Sequence, residues 1–205
     1  APQMNQWTFT FDKKNEGLLA ASKVQYVVKG YDFKKLGYAW NGKMRVLGQV
    51  LSTDYLHTRI RVVGGAYGGS SIFSPSGSMY FYSYRDPNLK ETLQAFDQAP
   101  EFLHTFSADA QTMTRYIIGT VARMDRPLTP SDKGDLAFRR YLEKTQKHDV
   151  QAERKAVLAT TAEDIRSMEK LVADVLAQDT FCVYGNDEKL TAEKSLFYEL
   201  TKTSE

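Results

Sequence analysis

The chain has 205 residues, of which 42% are hydrophobic and 25% charged, a composition that predicts one globular domain with a sizeable core. The formal net charge is +2, so bulk electrostatics give no reason to expect a nucleic acid as partner. No apolar run approaches the ~20 residues of a membrane span, and no signal-peptide pattern opens the chain. The single cysteine, Cys182, excludes an internal disulfide, and its apolar neighbours favour a small buried side chain over a reactive thiol.

The first forty residues predict strands. Alternating residues at 7–11 are typical of a strand, which could belong to a linker entering the domain. Two β-prone runs follow, Gly17–Ala21 and Val24–Lys29, and Tyr31–Tyr38 is predicted to be irregular.

A long helix is predicted from Asn41, which can cap it, to about Val63, where Gly64 ends it. Its apolar residues follow a spacing of three to four and form two adjacent stripes. The first stripe holds Met44, Leu47, Leu51 and Tyr55, and the second holds Leu56, Ile60 and Val63.

Two strands, Ser70–Phe73 and Ser78–Tyr84, are predicted on either side of a turn at residues 74–77. The second strand places Met79 and Phe81 on one face and three tyrosines (Tyr80, Tyr82, Tyr84) on the other. Because both faces suit burial, this strand is predicted to be central and covered on both sides.

The next segment predicts a strand-to-helix corner. Asp86 is expected to cap a helix that has Pro87 at its first position. The buried face of this helix is predicted to hold Leu89, Leu93 and Phe96. Arg85 and Asp86 are therefore interpreted as residues that fix the corner and not as ligand-binding residues.

The following stretch is predicted to be mostly helical. One helix should follow Ser107, a second should open at Thr129, a third should run from Asp149 to Leu158, and a fourth should follow a capping box of Thr160 and Glu163. Their inward-facing residues are predicted to be Met113, Tyr116, Ile117 and Val121, then Leu136, Tyr141 and Leu142, then Ile165, Met168, Val172, Val175 and Leu176.

Two strands are predicted to complete the fold: a buried one at Phe181–Tyr184, ended by a turn at 185–186, and an edge strand at Leu196–Leu200. The order of elements predicts an α+β architecture of two layers, one mostly antiparallel sheet with helices packed on one face. We expect residues 1–205 to form a single domain, with 1–14 as a possible linker.

The glycine-rich corner at 61–68 holds the candidate functional residues. A Gly64-Gly65 pair lets the chain reverse after the helix, which could turn the Arg61 guanidinium and the Tyr67 phenol toward one point. Both groups donate hydrogen bonds and suit a carbonyl oxygen or a developing oxyanion. The alternative is structural, since a cation is favoured at a helix C-terminus and a tyrosine often anchors a loop. A phosphate cradle is excluded, because such loops lead from a strand into a helix N-terminus.

Several motifs carry a family resemblance: RVVGGAYGG with SYRDPN, NEG at Asn15–Gly17, VQYVVKG at Val24–Gly30, and YIIGTVARMD at Tyr116–Asp125. They resemble the C-terminal domain of the pitrilysin/insulinase superfamily of zinc metallopeptidases, in its presequence-protease-like branch. The resemblance covers nearly the whole chain after the first dozen residues and implies the same two-layer fold. Together with a start at Ala1, it implies a piece of a longer protein.

The resemblance also implies a function. Arg61 and Tyr67 would bind the scissile carbonyl of a peptide and stabilise the transition state, with Gly64, Gly65 and Gly68 shaping the loop. Zinc and the general base would belong to the N-terminal half of the full-length protein, which would be both the enzyme and the partner of this domain. The fragment alone would be inactive. The alternative is a scaffold domain of a family member that has lost catalysis.

The chain lacks the inverted zinc motif H-x-x-E-H. Its three histidines, His57, His104 and His148, have no Glu or His at helical spacing and are interpreted as surface or cap residues. No G-x-S-x-G motif is present, and Ser70 and Ser71 have no base nearby in sequence. The sequence does not determine the compartment, and a soluble, cytoplasmic protein is the default expectation.

Overall fold

The computed structural model describes residues 15–203, so the strand predicted at 7–11 lies outside the described residues. Six strands form one sheet, and their bounds are β1 Glu16–Ala20, β2 Gln25–Asp32, β3 Gly68–Phe73, β4 Ser78–Asp86, β5 Phe181–Asn186 and β6 Glu199–Lys202. The strand order is β3-β4-β2-β5-β1-β6. The β3–β4, β4–β2 and β2–β5 pairs are antiparallel, whereas β1 pairs in parallel with both β5 and β6. The predicted mostly antiparallel sheet is confirmed.

The helices lie on one face of this sheet. Their bounds are α1 Lys43–Val50, α2 Lys90–Asp97, α3 Ala99–His104, α4 Ala110–Met124, α5 Pro130–Leu142, α6 Lys147–Leu158, α7 Ala162–Ser167, α8 Glu169–Leu176 and α9 Asp187–Ala192. Alternate strand residues such as Val27, Phe81 and Val183 are fully buried against this layer. The two-layer fold is therefore confirmed as predicted. No helix within residues 15–203 is both long enough and apolar enough to cross a bilayer.

The long helix starts and ends near its predicted positions but changes geometry on the way. The Asn41 side chain accepts a hydrogen bond from the Lys43 amide at 3.0 Å, but the cap residue directly before α1 is Gly42 and not Asn41 as predicted. After α1 the chain continues as a π-helical segment, Leu51–Val63, whose wider turns bond residue i to i+5. Its buried residues therefore recur every four to five positions, at Leu51, Ser52, Tyr55, Leu56 and Ile60. Val63 falls outside this spacing and is 73% exposed, so its predicted burial is wrong.

The strand β4 lies where it was predicted, but only one of its faces is covered. Met79 and Phe81 face the helices and are buried, whereas Tyr80 and Tyr82 are half-buried and Tyr84 is 42% exposed. The prediction of burial on both sides is wrong, because the helices within residues 15–203 pack against the face that holds Met79 and Phe81. We call the uncovered side, lined by Tyr26, Val28, Tyr80, Tyr82, Tyr84 and Tyr184, the open face.

Two predicted caps are displaced. Asp86 ends β4 and does not cap α2, which begins only at Lys90, although Leu89, Leu93 and Phe96 are buried as predicted. The capping box of α7 pairs Thr161 with Asp164, one residue beyond the predicted Thr160 and Glu163. Thr160 instead donates a hydrogen bond to the Ala156 carbonyl at the end of α6.

Other boundaries also differ. The 3-10 turn Phe33–Leu36 replaces part of the predicted irregular stretch, and Met168 separates α7 from α8 within the predicted single helix. No residue of α5 is buried, so the predicted burial of Tyr141 and Leu142 is wrong. Residues 185–186 continue β5 and are not a turn, and β6 starts at Glu199, later than predicted.

Candidate functional site

The glycine-rich corner ends the π-helical segment and reverses the chain into β3. Gly64 keeps helical torsions, and Gly65 has a left-handed φ of 76°. The helix end is closed by hydrogen bonds from the Gly65 amide to the Arg61 carbonyl and from the Ala66 amide to the Ile60 carbonyl, both at 3.1 Å. The buried Ala66 then fixes the loop to the core. The corner is thus a defined C-terminal cap of the kind that glycine provides.

The two predicted site residues lie together on the surface of this corner. The Arg61 guanidinium carbon lies 5.8 Å from the centre of the Tyr67 ring, which is 64% exposed. Arg61 is exposed as well, and within residues 15–203 no carboxylate lies within ion-pair distance of it. Both donors therefore face solvent next to each other, and the charge of Arg61 is not neutralised by a described neighbour.

Hydrogen bonds tie the corner to the end of β4 and the residues that follow it. The Asn88 side chain donates to the Gly64 carbonyl at 2.5 Å, and the Tyr67 amide donates to the Tyr84 carbonyl at 3.1 Å. The fully buried Asp86 accepts hydrogen bonds from the Asn88 amide at 2.8 Å and from the Thr92 hydroxyl at 2.7 Å. These bonds connect the loop to the first turn of α2.

A β-bulge in β4 makes this arrangement possible. Gln25 pairs with Asp86 and Val27 with Ser83, so the two residues Tyr84 and Arg85 oppose Tyr26 alone. Arg85 has a φ of 50°, in the left-handed region. Tyr84 follows the regular alternation onto the open face, and the extra residue Arg85 then reverses the alternation so that Asp86 points into the core. The sequence reading missed the bulge, because a non-glycine residue carries no local signal for left-handed torsions.

The three predicted loop glycines differ in whether the backbone around them tolerates a side chain. Gly65 needs its left-handed torsions, and a Cβ at Gly64 would lie 2.7 Å from the Ile60 carbonyl oxygen. Gly68 begins β3, and a Cβ there would meet nothing within 4 Å. Backbone geometry therefore requires glycine at the first two positions and not at Gly68, which leaves open space beside its neighbours.

The remaining predicted candidates lie apart from the corner. His57 is exposed, and His104 and His148 each contact one carboxylate, Glu169 at 3.0 Å and Asp149 at 3.2 Å respectively. No group of three His, Cys, Asp or Glu side chains within residues 15–203 is placed to hold a metal ion.

Among the described residues, no basic side chain is hydrogen-bonded to Ser70, Ser71 or Cys182. Ser70 and Ser71 contact the Ser52 hydroxyl at 2.9 and 3.1 Å. Cys182 was predicted to be buried but is only half-buried. Its partial burial, with a smaller contribution from Glu16, raises the pKa of the thiol. The thiol is therefore not activated as a nucleophile.

Comparison with known proteins assigns the chain that carries this corner to a family. Residues 15–184 match the model of the PreP C-terminal domain. The chain belongs to the PreP C-terminal domain family. It is 43% identical over 195 residues to protein HypA of Clostridium perfringens, which covers 95% of this chain and 20% of the relative. It is 32% identical over 200 residues to presequence protease 1, chloroplastic/mitochondrial, of Arabidopsis thaliana, covering 96% of this chain and 18% of the relative.

The PreP C-terminal domain is therefore a small part of its curated relatives, and this chain spans about a fifth of their length. Its fold is shared more widely. A peptidase M16 inactive domain from Pseudomonas fluorescens aligns with a TM-score of 0.60 at 14% identity, covering 91% of this chain and 47% of that one. Pitrilysin aligns with a TM-score of 0.55 at 10% identity, covering 84% and 19%. The predicted superfamily and fold are confirmed.

Proposed function

We propose that this chain is the substrate-closing domain of a full-length zinc metalloendopeptidase that degrades peptides. On this proposal the N-terminal half of the same protein is its partner, and the domain alone neither holds the metal nor cleaves peptides. The observation that carries the proposal is the solvent-facing pair of Arg61 and Tyr67 on a corner fixed by hydrogen bonds. Membership of a family whose relatives include presequence proteases supports it.

The chemistry of the pair suits peptide hydrolysis. A scissile carbonyl oxygen gains negative charge as a tetrahedral intermediate forms, and donors already in place stabilise that charge without reorganisation. The guanidinium of Arg61 supplies a charged donor and the Tyr67 hydroxyl a neutral one. Because both residues lie on one capped corner, hydrogen bonds fix their backbone positions relative to each other before a peptide binds.

The zinc that the family implies does not fit the described part of this chain, since residues 15–203 hold no cluster of three potential ligands. We therefore assign the metal and the activation of water to the N-terminal half. The role of this domain is confined to binding the carbonyl and orienting the peptide.

The test uses the full-length protein with Arg61→Ala or Tyr67→Phe. Loss of one such donor is expected to lower kcat about 100- to 1,000-fold, with the zinc content unchanged. Steady-state cleavage of a fluorogenic peptide measures the first quantity, and metal analysis measures the second. Tyr67→Phe keeps the ring and removes only the hydroxyl, so it isolates the hydrogen bond.

Two variants provide matched controls. Arg59→Ala removes an exposed arginine of the same π-helical segment, whose guanidinium bonds to the Gln98 side chain at 2.6 Å. Tyr141→Phe alters a tyrosine of α5 that is 79% exposed. Both should retain turnover within about 2-fold, as expected for surface changes away from a site. Normal turnover in both Arg61→Ala and Tyr67→Phe would refute the proposal and favour a scaffold domain.

A further inference from the structure

Four tyrosines form a continuous row of rings that starts at the proposed carbonyl-binding pair. Tyr67 contacts Tyr84 edge-to-face with ring centres 5.4 Å apart, and Tyr84 contacts Tyr26 in the same manner at 5.3 Å. Tyr26 then contacts Tyr184 at 5.8 Å. We call these residues the tyrosine row. The Arg61 guanidinium lies over its first ring.

The row crosses the sheet because of its register. Tyr26 of β2 lies directly opposite Tyr184 of β5, and the register of β2 with β4 places Tyr84 beside Tyr26 on its other side. All three rings lie on the open face, on the side of the sheet without helices. The row therefore runs across neighbouring strands, away from the corner that carries Tyr67.

The row is accessible and has space beside it. Tyr67, Tyr84 and Tyr184 are 64%, 42% and 41% exposed. Gly68 pairs with Tyr84 in the register and presents no side chain there, and a Cβ at this position would meet nothing within 4 Å. A chain bound at Arg61 can therefore approach the backbone of β3 and extend over the rings of Tyr84 and Tyr26.

We propose that the tyrosine row is a specificity subsite for apolar and aromatic side chains of the peptide whose carbonyl Arg61 and Tyr67 bind. This inference rests on the proposed function. The peptide is favoured as occupant because the row begins at Tyr67 itself, so the residues that flank a bound carbonyl lie over the adjoining rings. At a rise of ~3.3 Å per residue, the row faces about five residues of extended peptide.

The experiment compares two fluorogenic peptides cleaved by the full-length protein. One peptide carries Phe and Leu within about five residues of the scissile bond, which is the length of the row, and the other carries Ser at the same positions. The two peptides have equal length and charge. Tyr84→Ala should lower kcat/KM for the Phe/Leu peptide about 2- to 10-fold, the range for loss of one aromatic contact. The loss should appear in KM with kcat retained, and the Ser peptide should be unaffected.

Three further variants keep the test specific. Tyr84→Phe preserves the ring and should preserve the preference, whereas Tyr184→Ala should reduce it in the same direction as Tyr84→Ala. Tyr141→Ala removes an exposed ring of α5 and should change neither peptide. An equal loss for both peptides in Tyr84→Ala, with a lowered melting temperature of the full-length protein, would overturn the proposal and give the row a role in stability. No loss for either peptide would overturn the proposal too.

The outcome is separable from that of the proposed function. If Arg61→Ala and Tyr67→Phe keep normal turnover, the carbonyl-binding role itself fails. If those two variants lose turnover while Tyr84→Ala treats both peptides alike, only the subsite fails. If Tyr84→Ala discriminates between the two peptides, peptides that carry Phe and Leu on one side of the scissile bond at a time show which flank of the substrate the row contacts.

Discussion

At the scale of single residues, the position of the proposed site depends on the torsions of Gly65. Its left-handed φ of 76° ends the helix within one residue of Gly64 and sends the chain back past Arg61. An L-residue in this region places its Cβ too close to a carbonyl oxygen, at a cost of roughly 1–2 kcal/mol. The proximity of Arg61 and Tyr67 is therefore maintained by a backbone conformation that glycine adopts freely.

Replacing Gly65 by alanine is accordingly expected to lower the free energy of unfolding of this chain by about 1–2 kcal/mol. Urea unfolding followed by circular dichroism measures the change. Gly68→Ala is the control: its Cβ would have open space, and its φ is not left-handed, so the free energy should change by less than about 0.5 kcal/mol. Equal destabilisation by both substitutions would contradict the role given to the torsions of Gly65.

The candidate site was predictable at this scale because its signals are local. A basic residue at a helix end, two glycines and a tyrosine lie within seven residues of sequence, and their chemistry follows from residue type. The local geometry of Arg85 and Gly68, both of them residues that the sequence had singled out, was not predictable. Left-handed torsions at Arg85 depend on the strand pairing around it, and the open space at Gly68 depends on which face of the sheet the helices cover.

At the scale of elements, the end of β4 and the start of α2 form a clamp on the glycine corner. The bulge turns Asp86 into the core, where it orients Asn88, and Asn88 reaches the Gly64 carbonyl. Asn88 touches neither donor of the proposed site. It acts as a positioning residue, because the carbonyl that it binds belongs to the loop between Arg61 and Tyr67.

Asn88→Ala in the full-length protein is expected to lower kcat about 10-fold, since small displacements of positioned groups reduce rates by up to about 100-fold. The reduction should be smaller in an Arg61→Ala background, where Tyr67 is the one donor left to position. A double-mutant cycle on kcat measures this coupling.

Asn15→Ala is the matched control for this cycle. It removes a single side-chain bond to a backbone amide, that of Phe181 at 3.1 Å, at the opposite end of the sheet. It should leave kcat unchanged in both backgrounds. Equal effects of Asn88→Ala with and without Arg61 would show that Asn88 serves stability alone.

Element positions were predicted better than element geometry. The periodicity of apolar residues located β1 to β5 and the major helices to within a few residues, because burial of one face imposes that period. It did not reveal the π-helical segment at Leu51–Val63, since a reading at 3.6 residues per turn assumes α-helical bonding. The bulge was missed for a related reason: its cause is the register of β4 against β2, which pairs residues far apart in sequence, such as Gln25 and Asp86.

At the scale of the whole molecule, the decisive property is that the helices of residues 15–203 cover one side of the sheet only. The sequence predicted two layers, and that prediction is confirmed. It did not predict that β5 would lie between β2 and β1, because parallel pairing of β1 with β5 joins segments more than 160 residues apart. That placement brings Tyr184 beside Tyr26 and so creates the tyrosine row.

An ion pair links two helices that lie far apart in sequence: Asp164 of α7 contacts the Lys43 ammonium of α1 at 2.5 Å. Burial alone would raise the pKa of Asp164, but hydrogen bonds from Lys43 and Thr161 outweigh it and hold the pKa below its usual value. A lowered folded pKa gives stability that is present above the unfolded value of about 3.9 and is lost as the pH falls through the folded pKa. Asp164→Asn should therefore lower the free energy of unfolding by about 1 kcal/mol at pH 7 and by progressively less below about pH 4, as measured in urea titrations. The control Asp135→Asn, at an exposed position of α5, should lower it by under about 0.5 kcal/mol at either pH. A cost of Asp164→Asn that does not change with pH would show that packing, and not the charge of Asp164, joins α7 to α1.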